Sequence, residues 1–204
     1  MTSTKKRSSS SVTRRVMLGA TGALALAAFG GPAMAFSADQ ARDLIGRAVR
    51  DIHRIINSGK PEATMLREFE AIFEDYGDSD VIGQLVLGPD GRTASSQQKA
   101  AFAKAFKIYI SHKYGRRFRE FIGGRIEVVD ARAVKTFYEV TTVVHLAGQA
   151  PFEVEFVVAD RSGLFIDMKI EGISLVKAER AEVGAMLDKR RGDLDRLIAD
   201  LATM

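Results

Sequence analysis

The sequence predicts an α+β fold in which a helical N-terminal half packs on a curved four-stranded antiparallel sheet, with a C-terminal helix after it. Three observations lead to this prediction. Apolar residues recur at helical spacing between residues 38 and 122, alternate at period two between 126 and 175, and return to helical spacing from 177 to 204. In a parallel α/β sheet, strands and helices alternate along the chain. Here the helices come first and a run of strands follows, so this order excludes a parallel α/β sheet.

Capping boxes mark the starts of two helices, at Ser37–Gln40 and Ser95–Gln98, each with serine at the N-cap and glutamine three residues later. The first box opens a helix that Gly59 ends. Further helices are predicted from Pro61, from Ser79, from the second box to Gly123-Gly124, and from Lys177 to Met204, with a weak point at Lys189–Gly192.

The change to period two predicts four strands, over Ile126–Val134, Phe137–Leu146, Phe152–Val158 and Phe165–Leu175. In the third strand the apolar residues alternate with Glu153 and Glu155, as in a strand with one face on the core. Helices against one face of such a sheet can form a cone like that of nuclear transport factor two. A cone of this kind encloses an apolar cavity.

Composition limits the class of protein. The chain has 204 residues, of which 46% are hydrophobic and 27% charged, and it contains no cysteine. About 170 residues beyond the N-terminal segment suit one domain with a substantial core. The absence of cysteine from the sequence excludes a disulfide scaffold, a cysteine-ligated zinc site, a cysteine nucleophile and an acylated lipoprotein anchor. No later stretch reaches 18 consecutive apolar residues, so we expect no membrane-spanning helix there.

The first 35 residues have the three parts of a cleavable export signal. They are the basic Lys5-Lys6-Arg7 and Arg14-Arg15, the apolar run Val16–Phe29, and the small residues Ala33-Met34-Ala35. The paired arginines resemble a twin-arginine signal. We therefore predict a signal over 1–35, a single domain over 36–204 and a periplasmic location.

The same segment carries the whole basic excess. The chain has 30 Lys+Arg and 26 Asp+Glu, a net charge of +4. Since residues 1–35 hold five basic and no acidic residues, residues 36–204 hold 25 basic and 26 acidic, a net charge of −1. A nearly neutral periplasmic domain is a poor candidate for nucleic-acid binding. Two basic clusters, Arg116-Arg117 with Arg119 and Lys189–Arg191, could complement helix C-termini or contact phosphate headgroups or an acidic partner.

The residue patterns of common catalytic and metal sites are missing. There is no nucleophile elbow, no P-loop and no dinucleotide fingerprint. The three histidines, His53, His112 and His145, share no metal-ligand spacing. We therefore expect no catalytic residue, no metal and no cofactor.

Sheet carboxylates are the residues that could support an enzyme on this fold, because a general base there would be a buried Asp or Glu. Asp130, Asp167 and Glu171 are the candidates. Alternation places Asp167 and Glu171 opposite Met168 and Ile170, on the outer face. We therefore predict that these carboxylates are solvated.

Apolar side chains of the long helix and the strands are predicted to face one another. They are Phe102, Phe106, Tyr109 and Phe118 from the helix, and Val140, Val144, Val154, Phe156, Met168 and Ile170 from the strands. Such a surface can close on itself as ordinary core or close over an acyl chain, and composition does not separate the two.

Two segments resemble the MlaC, or toluene-tolerance, family. Asp167–Val176 (DMKIEGISLV), followed by Arg180, is similar to that family's signature strand and helix start. Ala94-Ser95 with Gln98, Phe102, Ala105, Phe106 and Tyr114 is similar to the start of its long central helix. The similarity spans about residues 36–201. The chain departs from the family at Gly163, where a tryptophan is usual, at Glu179, where an aromatic residue is common, and at Val183, where phenylalanine is frequent.

The resemblance implies a periplasmic carrier of phospholipid, or of a hopanoid, since hopanoid-associated relatives share the pattern. Such carriers move lipid between an outer-membrane lipoprotein complex and an inner-membrane ABC transporter with an MCE-domain subunit. The ten apolar residues would contact the lipid tails. Arg180, which matches the motif, would pair with a sheet carboxylate or lie near the headgroup.

Two other functions fit the same sequence. One is an enzyme on the cone-shaped fold that acts on a hydrophobic small molecule, with Asp130 or Asp167 as its base. The other is an adaptor that bridges membrane complexes and whose apolar interior is plain core. The position of the carboxylates and the volume of the cavity distinguish these functions from a carrier.

Overall fold

The computed structural model describes residues 36–204, with the backbone alone at Phe118 and Arg119. The predicted export signal, residues 1–35, lies outside the described residues. Four α-helices come first, a five-stranded sheet follows, and two α-helices complete the order. The predicted α+β class is confirmed, whereas the predicted number of four strands is wrong.

The helices of the N-terminal half are α1 (Ala38–Ile56), α2 (Glu62–Tyr76), α3 (Ser79–Leu87) and α4 (Ser96–Gly115). Both predicted capping boxes are confirmed, since each serine hydroxyl accepts from the glutamine N–H and each glutamine side chain accepts from the serine N–H. Pro61 is the N-cap of α2 and not its first residue, because its ψ of 146° is extended. A 3₁₀-helix over Gly88–Arg92 follows α3 directly.

The long central helix ends earlier than predicted. α4 stops at Gly115, and a 3₁₀-helix over Arg116–Phe121 follows it. Gly115 is buried against α2, where a Cβ atom would lie only 2.6 Å from Cδ2 of Leu66. Because a 3₁₀-helix has three residues per turn, the residues after Gly115 point in directions that a continued α-helix would not give them.

The sheet has the strand order β1-β2-β3-β4-β5, and all neighbours are antiparallel. The strands are β1 (Arg125–Val134), β2 (Phe137–His145), β3 (Phe152–Ala159), β4 (Phe165–Ile170) and β5 (Ile173–Ser174). The predicted fourth strand is therefore two strands. Glu171 and Gly172 both have positive φ, 51° and 77°, and form the two-residue loop of a tight hairpin.

Two bulges modify the alternation of the sheet. One extra residue, Ile166, lies in β4 opposite the Val157–Val158 step, and both Phe165 and Ile166 are buried. The other extra residue is Val129 in β1, which is 48% exposed. Away from the bulges the register places Val140, Phe156 and Met168 side by side, in the row that faces the helices.

The helices cover the inner face of the sheet. α1 packs on β1, β2 and α2, α4 packs on α2, α3 and α6, and α5 packs on α3 and β4. The predicted C-terminal helix is two helices, α5 (Leu175–Lys189) and α6 (Leu194–Leu201). They separate at the predicted weak point, where Arg191 and Gly192 have positive φ. No helix of the described part is long and apolar enough to cross a membrane.

Candidate functional site

A cavity of about 260 Å³ lies between the sheet and the helices. Its volume is close to the lower end of the ~300–1,000 Å³ usual for small-molecule sites. The helix side is formed by Ala48, Val49 and Ile52 of α1, Phe69, Ile72 and Phe73 of α2, Ile82 and Val86 of α3, and Phe106, Ile110 and Tyr114 of α4. The sheet side includes Ile126, Thr142, Val144, Phe152, Val154, Phe156, Phe165, Met168 and Ile170.

The helical and the strand periodicity of the sequence explain why these side chains face the cavity. Phe106, Ile110 and Tyr114 are spaced by four residues and therefore lie on one face of α4. On β2 and β3 the lining residues are spaced by two, so they share the inner face of the sheet. On β4 the bulge at Ile166 keeps Phe165 in the same row as Met168 and Ile170. The result is a lining that is apolar over most of its extent.

Six of the ten predicted lipid-contacting residues line the cavity. They are Phe106, Val144, Val154, Phe156, Met168 and Ile170. Phe102, Tyr109 and Val140 are buried in the core outside the cavity lining. The Phe102 ring stacks on that of Phe106 with centroids 5.7 Å apart, so it supports the wall from behind. The side chain of Phe118 lies outside the described residues.

The ten predicted lipid-contacting residues include none of the residues by which α1, α2 and α3 line the cavity. Ala48, Phe69 and Ile82 have the helical spacing of any core-facing residue, so nothing in their local pattern distinguishes a cavity wall from solid core. Only the tertiary arrangement places them around an open volume.

Arg180 lies on the exposed side of α5, away from the cavity lining. Its Nε donates to the carbonyl oxygen of Leu85 in α3 at 2.7 Å. This contact joins α5 to α3, and the residue pairs with a backbone carbonyl and not with the predicted sheet carboxylate.

The prediction for Asp167 is wrong in part. By register it shares the outer row of the sheet with Val157, as alternation predicts, yet it is half-buried and lines the cavity. Its Oδ1 accepts from the N–H groups of Met168 and Val176 at 2.8 and 3.0 Å, and its Oδ2 accepts from the hydroxyl of Ser174 at 2.5 Å. The hairpin and the start of α5 hold this carboxylate, which is why it is only partly exposed to solvent. Glu171 and Asp130 are exposed, as predicted.

One charged residue of the wall is almost completely buried. Glu179, in the second turn of α5, is 2% exposed and lines the cavity. Its carboxylate accepts from Nζ of Lys113 at 2.9 and 3.2 Å and from the hydroxyl of Tyr114 at 2.8 Å. Lys113 also donates to Glu182 at 2.5 Å, and the Tyr109 hydroxyl donates to Glu182 at 2.8 Å. We call these five residues the α4–α5 network.

The charges of the α4–α5 network stabilise one another. Burial disfavours the charge of Lys113, but its hydrogen bonds to Glu182 and Glu179 outweigh burial and raise the pKa of the lysine. The bond from Lys113 lowers the pKa of Glu182. Burial, together with the bond to Glu182, raises the pKa of Tyr109 to about 12. At neutral pH the lysine is therefore charged and the tyrosine keeps its proton.

The polar residues of the cavity rim are Arg117, Glu120 and Gln149. Arg117 and Glu120 form an ion pair at 3.8 Å, and both side chains are more than half exposed. In the same predicted basic cluster, Arg116 donates to the carbonyl oxygen of Met204 at 3.3 Å. In the second cluster, Arg190 pairs with Asp200 and joins α5 to α6.

Within residues 36–204, no group of three His, Asp or Glu side chains is placed to hold a metal ion. His112 and His145 each face one glutamate, Glu70 at 3.2 Å and Glu127 at 3.4 Å.

Comparison with known proteins adds two findings. A family model described as MlaC protein matches residues 47–203. A solved structure of the phospholipid-binding protein from Ralstonia solanacearum in complex with a phospholipid has the same fold, with a TM-score of 0.64 and 20% sequence identity. The match covers 79% of this chain and 98% of that chain.

Proposed function

This chain belongs to the MlaC protein family, and from that premise we propose that it binds a phospholipid or a related apolar lipid and carries it between membranes. The observation that carries the proposal is the apolar cavity of about 260 Å³ between the sheet and the helices. The protein of the same fold from Ralstonia solanacearum is described as phospholipid-binding, in complex with a phospholipid, which supports the same ligand class here. We further propose that the open sheet and the helices packed on it together form a cone with this cavity as its interior.

The energetics of lipid transfer support an apolar cavity of this kind. At ~0.8 kcal/mol per CH₂, two chains of ~16 carbons cost on the order of 25 kcal/mol to expose to water. A carrier must offset most of that cost with contacts to its own apolar side chains. Phe106, Phe156 and Met168 supply such contacts without polar groups that need partners.

The positions and contacts of Asp130 and Asp167 fit a binding and transport protein better than they fit an enzyme. Asp130 is exposed and does not line the cavity. Asp167 lines it, but its oxygens already accept from two backbone N–H groups and one hydroxyl. Its contacts are those of a residue that fixes the start of α5.

The cellular setting is part of the proposal. We propose that the protein works in the periplasm, between an outer-membrane lipoprotein complex and an inner-membrane ABC transporter with an MCE-domain subunit. The export-signal pattern of residues 1–35 and the family membership support this setting. A cavity also favours a carrier over an adaptor with a solid core, because an adaptor needs no internal volume.

Lipid identification tests the proposal directly. The protein, isolated from the periplasm, is examined by native mass spectrometry, and we expect co-purified lipid in about one copy per chain. Extraction of labelled phospholipid from donor vesicles and delivery to acceptor vesicles then tests transport. A hopanoid in place of a phospholipid would change the cargo only. A lipid-free protein that extracts nothing from vesicles would overturn the proposal.

A further inference from the structure

The exposed polar residues of the cavity lining lie at one end of the sheet. Because neighbouring strands are antiparallel, the starts of β1, β3 and β5 and the ends of β2 and β4 meet at this end. Arg117 and Glu120 lie in the 3₁₀-helix just before β1, and Gln149 lies in the loop between β2 and β3. A lipid that enters between these rim residues passes the side chains of this end.

The segment that leads into β1, residues 116–125, is strongly basic. It contains four arginines and one glutamate, a net charge of +3. Since residues 36–204 hold 25 basic and 26 acidic residues, the rest of that range holds 21 basic and 25 acidic, a net charge of −4. Positive charge is thus concentrated beside the rim, and this uneven distribution would turn the rim toward a negatively charged surface.

The arginines of this segment whose side chains are described are accessible. Arg116, Arg117 and Arg125 are all exposed. Arg117 pairs with Glu120 at 3.8 Å and Arg125 pairs with Glu127 at 3.2 Å, and each of these four side chains is more than two fifths exposed. Exposed ion pairs contribute little to stability. A lipid phosphate can therefore replace either carboxylate at small cost.

Exposed apolar side chains lie at the same end. Among the described residues the two most exposed large apolar side chains are Ile122, at 56%, and Ile173, at 69%. Ile122 directly follows Phe121, which lines the cavity. The loop over residues 147–151 is exposed and carries no charged residue. An apolar side chain between arginines suits the interface of a bilayer, where the chain enters the acyl region and the guanidinium groups stay among the phosphates. A purely acidic protein surface would place Ile122 against carboxylates.

The acidic residues of this end lie to one side. Glu153 is at the start of β3 and Glu171 is in the β4–β5 hairpin. These positions are two and three strands away from β1, roughly 10 and 14 Å across the sheet. The side of the rim next to β1 is therefore the positive one, and we expect it to lie nearest to an anionic surface.

We propose that residues 116–125 and the loop 147–151, which we call the mouth surface, dock directly on an anionic phospholipid bilayer and bring the cavity rim against it. The arginines bind lipid phosphates, and Ile122 enters the interface beside them. The inference rests on the proposed carrier function and names the surface through which lipid is exchanged. Because its charges are exposed, docking should be reversible and sensitive to salt.

Sedimentation with vesicles tests the proposal. The protein as isolated is mixed with vesicles of phosphatidylcholine alone, or of phosphatidylcholine with about one third phosphatidylglycerol. At low ionic strength we expect at least tenfold tighter binding to the anionic vesicles, and most of this difference should disappear at high salt, where exposed charges are screened. Equal binding to the two kinds of vesicle would overturn the proposal.

Charge variants locate the docking surface. Arg116→Ala/Arg125→Ala removes two arginines that do not line the cavity, and binding to anionic vesicles should weaken about fivefold for each. Lys135→Asn/Arg161→Ala is the matched control, since it removes the same charge from exposed turns at the opposite end of the sheet. It should lose less than about twofold. An equal loss in both double variants would show that net charge alone drives binding, and would contradict a defined mouth surface.

The apolar contact has its own variant. Ile122→Ser should weaken binding to anionic vesicles about threefold, whereas Phe137→Ser, an exposed apolar position at the opposite end of the sheet, should leave it unchanged. Native mass spectrometry of the same preparations keeps the two proposals apart. A protein that retains its lipid but binds neither kind of vesicle would overturn membrane docking and leave lipid binding intact. A preparation without lipid that extracts none would be the failure of the proposed function itself.

Discussion

Lys113 and Glu179 form an ion pair at 2.9 Å between the end of α4 and the start of α5, and the glutamate is 2% exposed. Burial makes the pair sensitive to the loss of one partner, because the other charge would remain without compensation. Lys113→Met should therefore lower the free energy of unfolding by about 3 kcal/mol. In Lys113→Met/Glu179→Leu both charges are replaced by apolar groups, and most of that loss should be recovered. Urea unfolding of the single and double variants measures both values.

The control for this prediction is on the same helix. Lys107 pairs with Glu74 at 3.0 Å, but Glu74 is 71% exposed. Lys107→Met should cost less than about 1 kcal/mol, as exposed ion pairs do. A double variant that is as unstable as the sum of its single changes would contradict the role of the buried charge.

Val144 offers a direct way to fill the cavity. It is 2% exposed, lies on β2 and lines the cavity. Val144→Phe should place a ring in the space proposed for the lipid tail, so the lipid retained by the protein should fall at least tenfold, at a cost of about 1–3 kcal/mol in stability from overpacking. Quantitative lipid extraction with mass spectrometry measures the retained amount.

Val143→Phe is the matched control, because adjacent strand residues point to opposite faces of the sheet. It should leave the lipid content unchanged. If Val144→Phe kept its full lipid content while folded, the cavity would not be the binding site.

The elements that depend on local pattern were predictable from the sequence. Each capping box needs only a serine and a glutamine three residues apart, and both form as predicted. The β4–β5 hairpin was not predicted, because Glu171 takes the left-handed conformation in which asparagine or aspartate usually precedes the glycine of such a turn. The close approach of Gly115 to Leu66 in another helix, at the end of α4, likewise depends on tertiary packing that no local pattern shows.

Alternation likewise predicts the strand half of the cavity lining, including Val144, Val154 and Phe156. The sequence does not predict the α4–α5 network, since its partners are more than 60 residues apart in the sequence. One signal was present: Glu179 replaces the aromatic residue common at that position of the family. A charged residue at a position where the helical pattern is otherwise apolar indicates a buried ion pair.

Glu139 makes the stability depend on pH. On the outer face of the sheet its carboxylate accepts from Lys169 at 2.8 Å and from Arg132 at 2.6 Å. The bond from Lys169, with that from Arg132, holds the pKa of Glu139 below its ordinary value of 4.5. Because the pKa of the folded state is the lower one, the stabilisation is present above pH 4.5 and disappears as the pH falls through the folded-state value.

Glu139→Gln should therefore lower stability by about 0.5–1 kcal/mol at pH 7, and the difference from the unmodified protein should shrink at acid pH. Urea midpoints at pH 7 and near pH 3 measure the two differences. Glu153→Gln, at an exposed position of β3, serves as the control and should show no such change. A difference that grows on acidification would have the wrong sign for this ion pair.

Gly184 lies inside α5 in open surroundings, with no atom within 4 Å of an added Cβ. Glycine in a helix costs about 0.5–1 kcal/mol relative to alanine, chiefly through the entropy of the unfolded chain. Gly184→Ala should raise the free energy of unfolding by that amount without changing lipid binding. A loss of stability would mean that α5 packs more closely at this position than the structure shows.

Gly124 is the opposite case and lies where the 3₁₀-helix after α4 meets β1. A Cβ atom there would be 2.8 Å from the carbonyl oxygen of His145 and 3.0 Å from that of Phe121. Both are backbone atoms and cannot rotate away, so Gly124→Ala must separate β1 from β2 or displace the 3₁₀-helix that brings Phe121 to the cavity. We expect a loss of about 1–3 kcal/mol in thermal or urea unfolding together with weaker lipid retention. Unchanged stability would show that the backbone contact at this junction is looser than 3 Å.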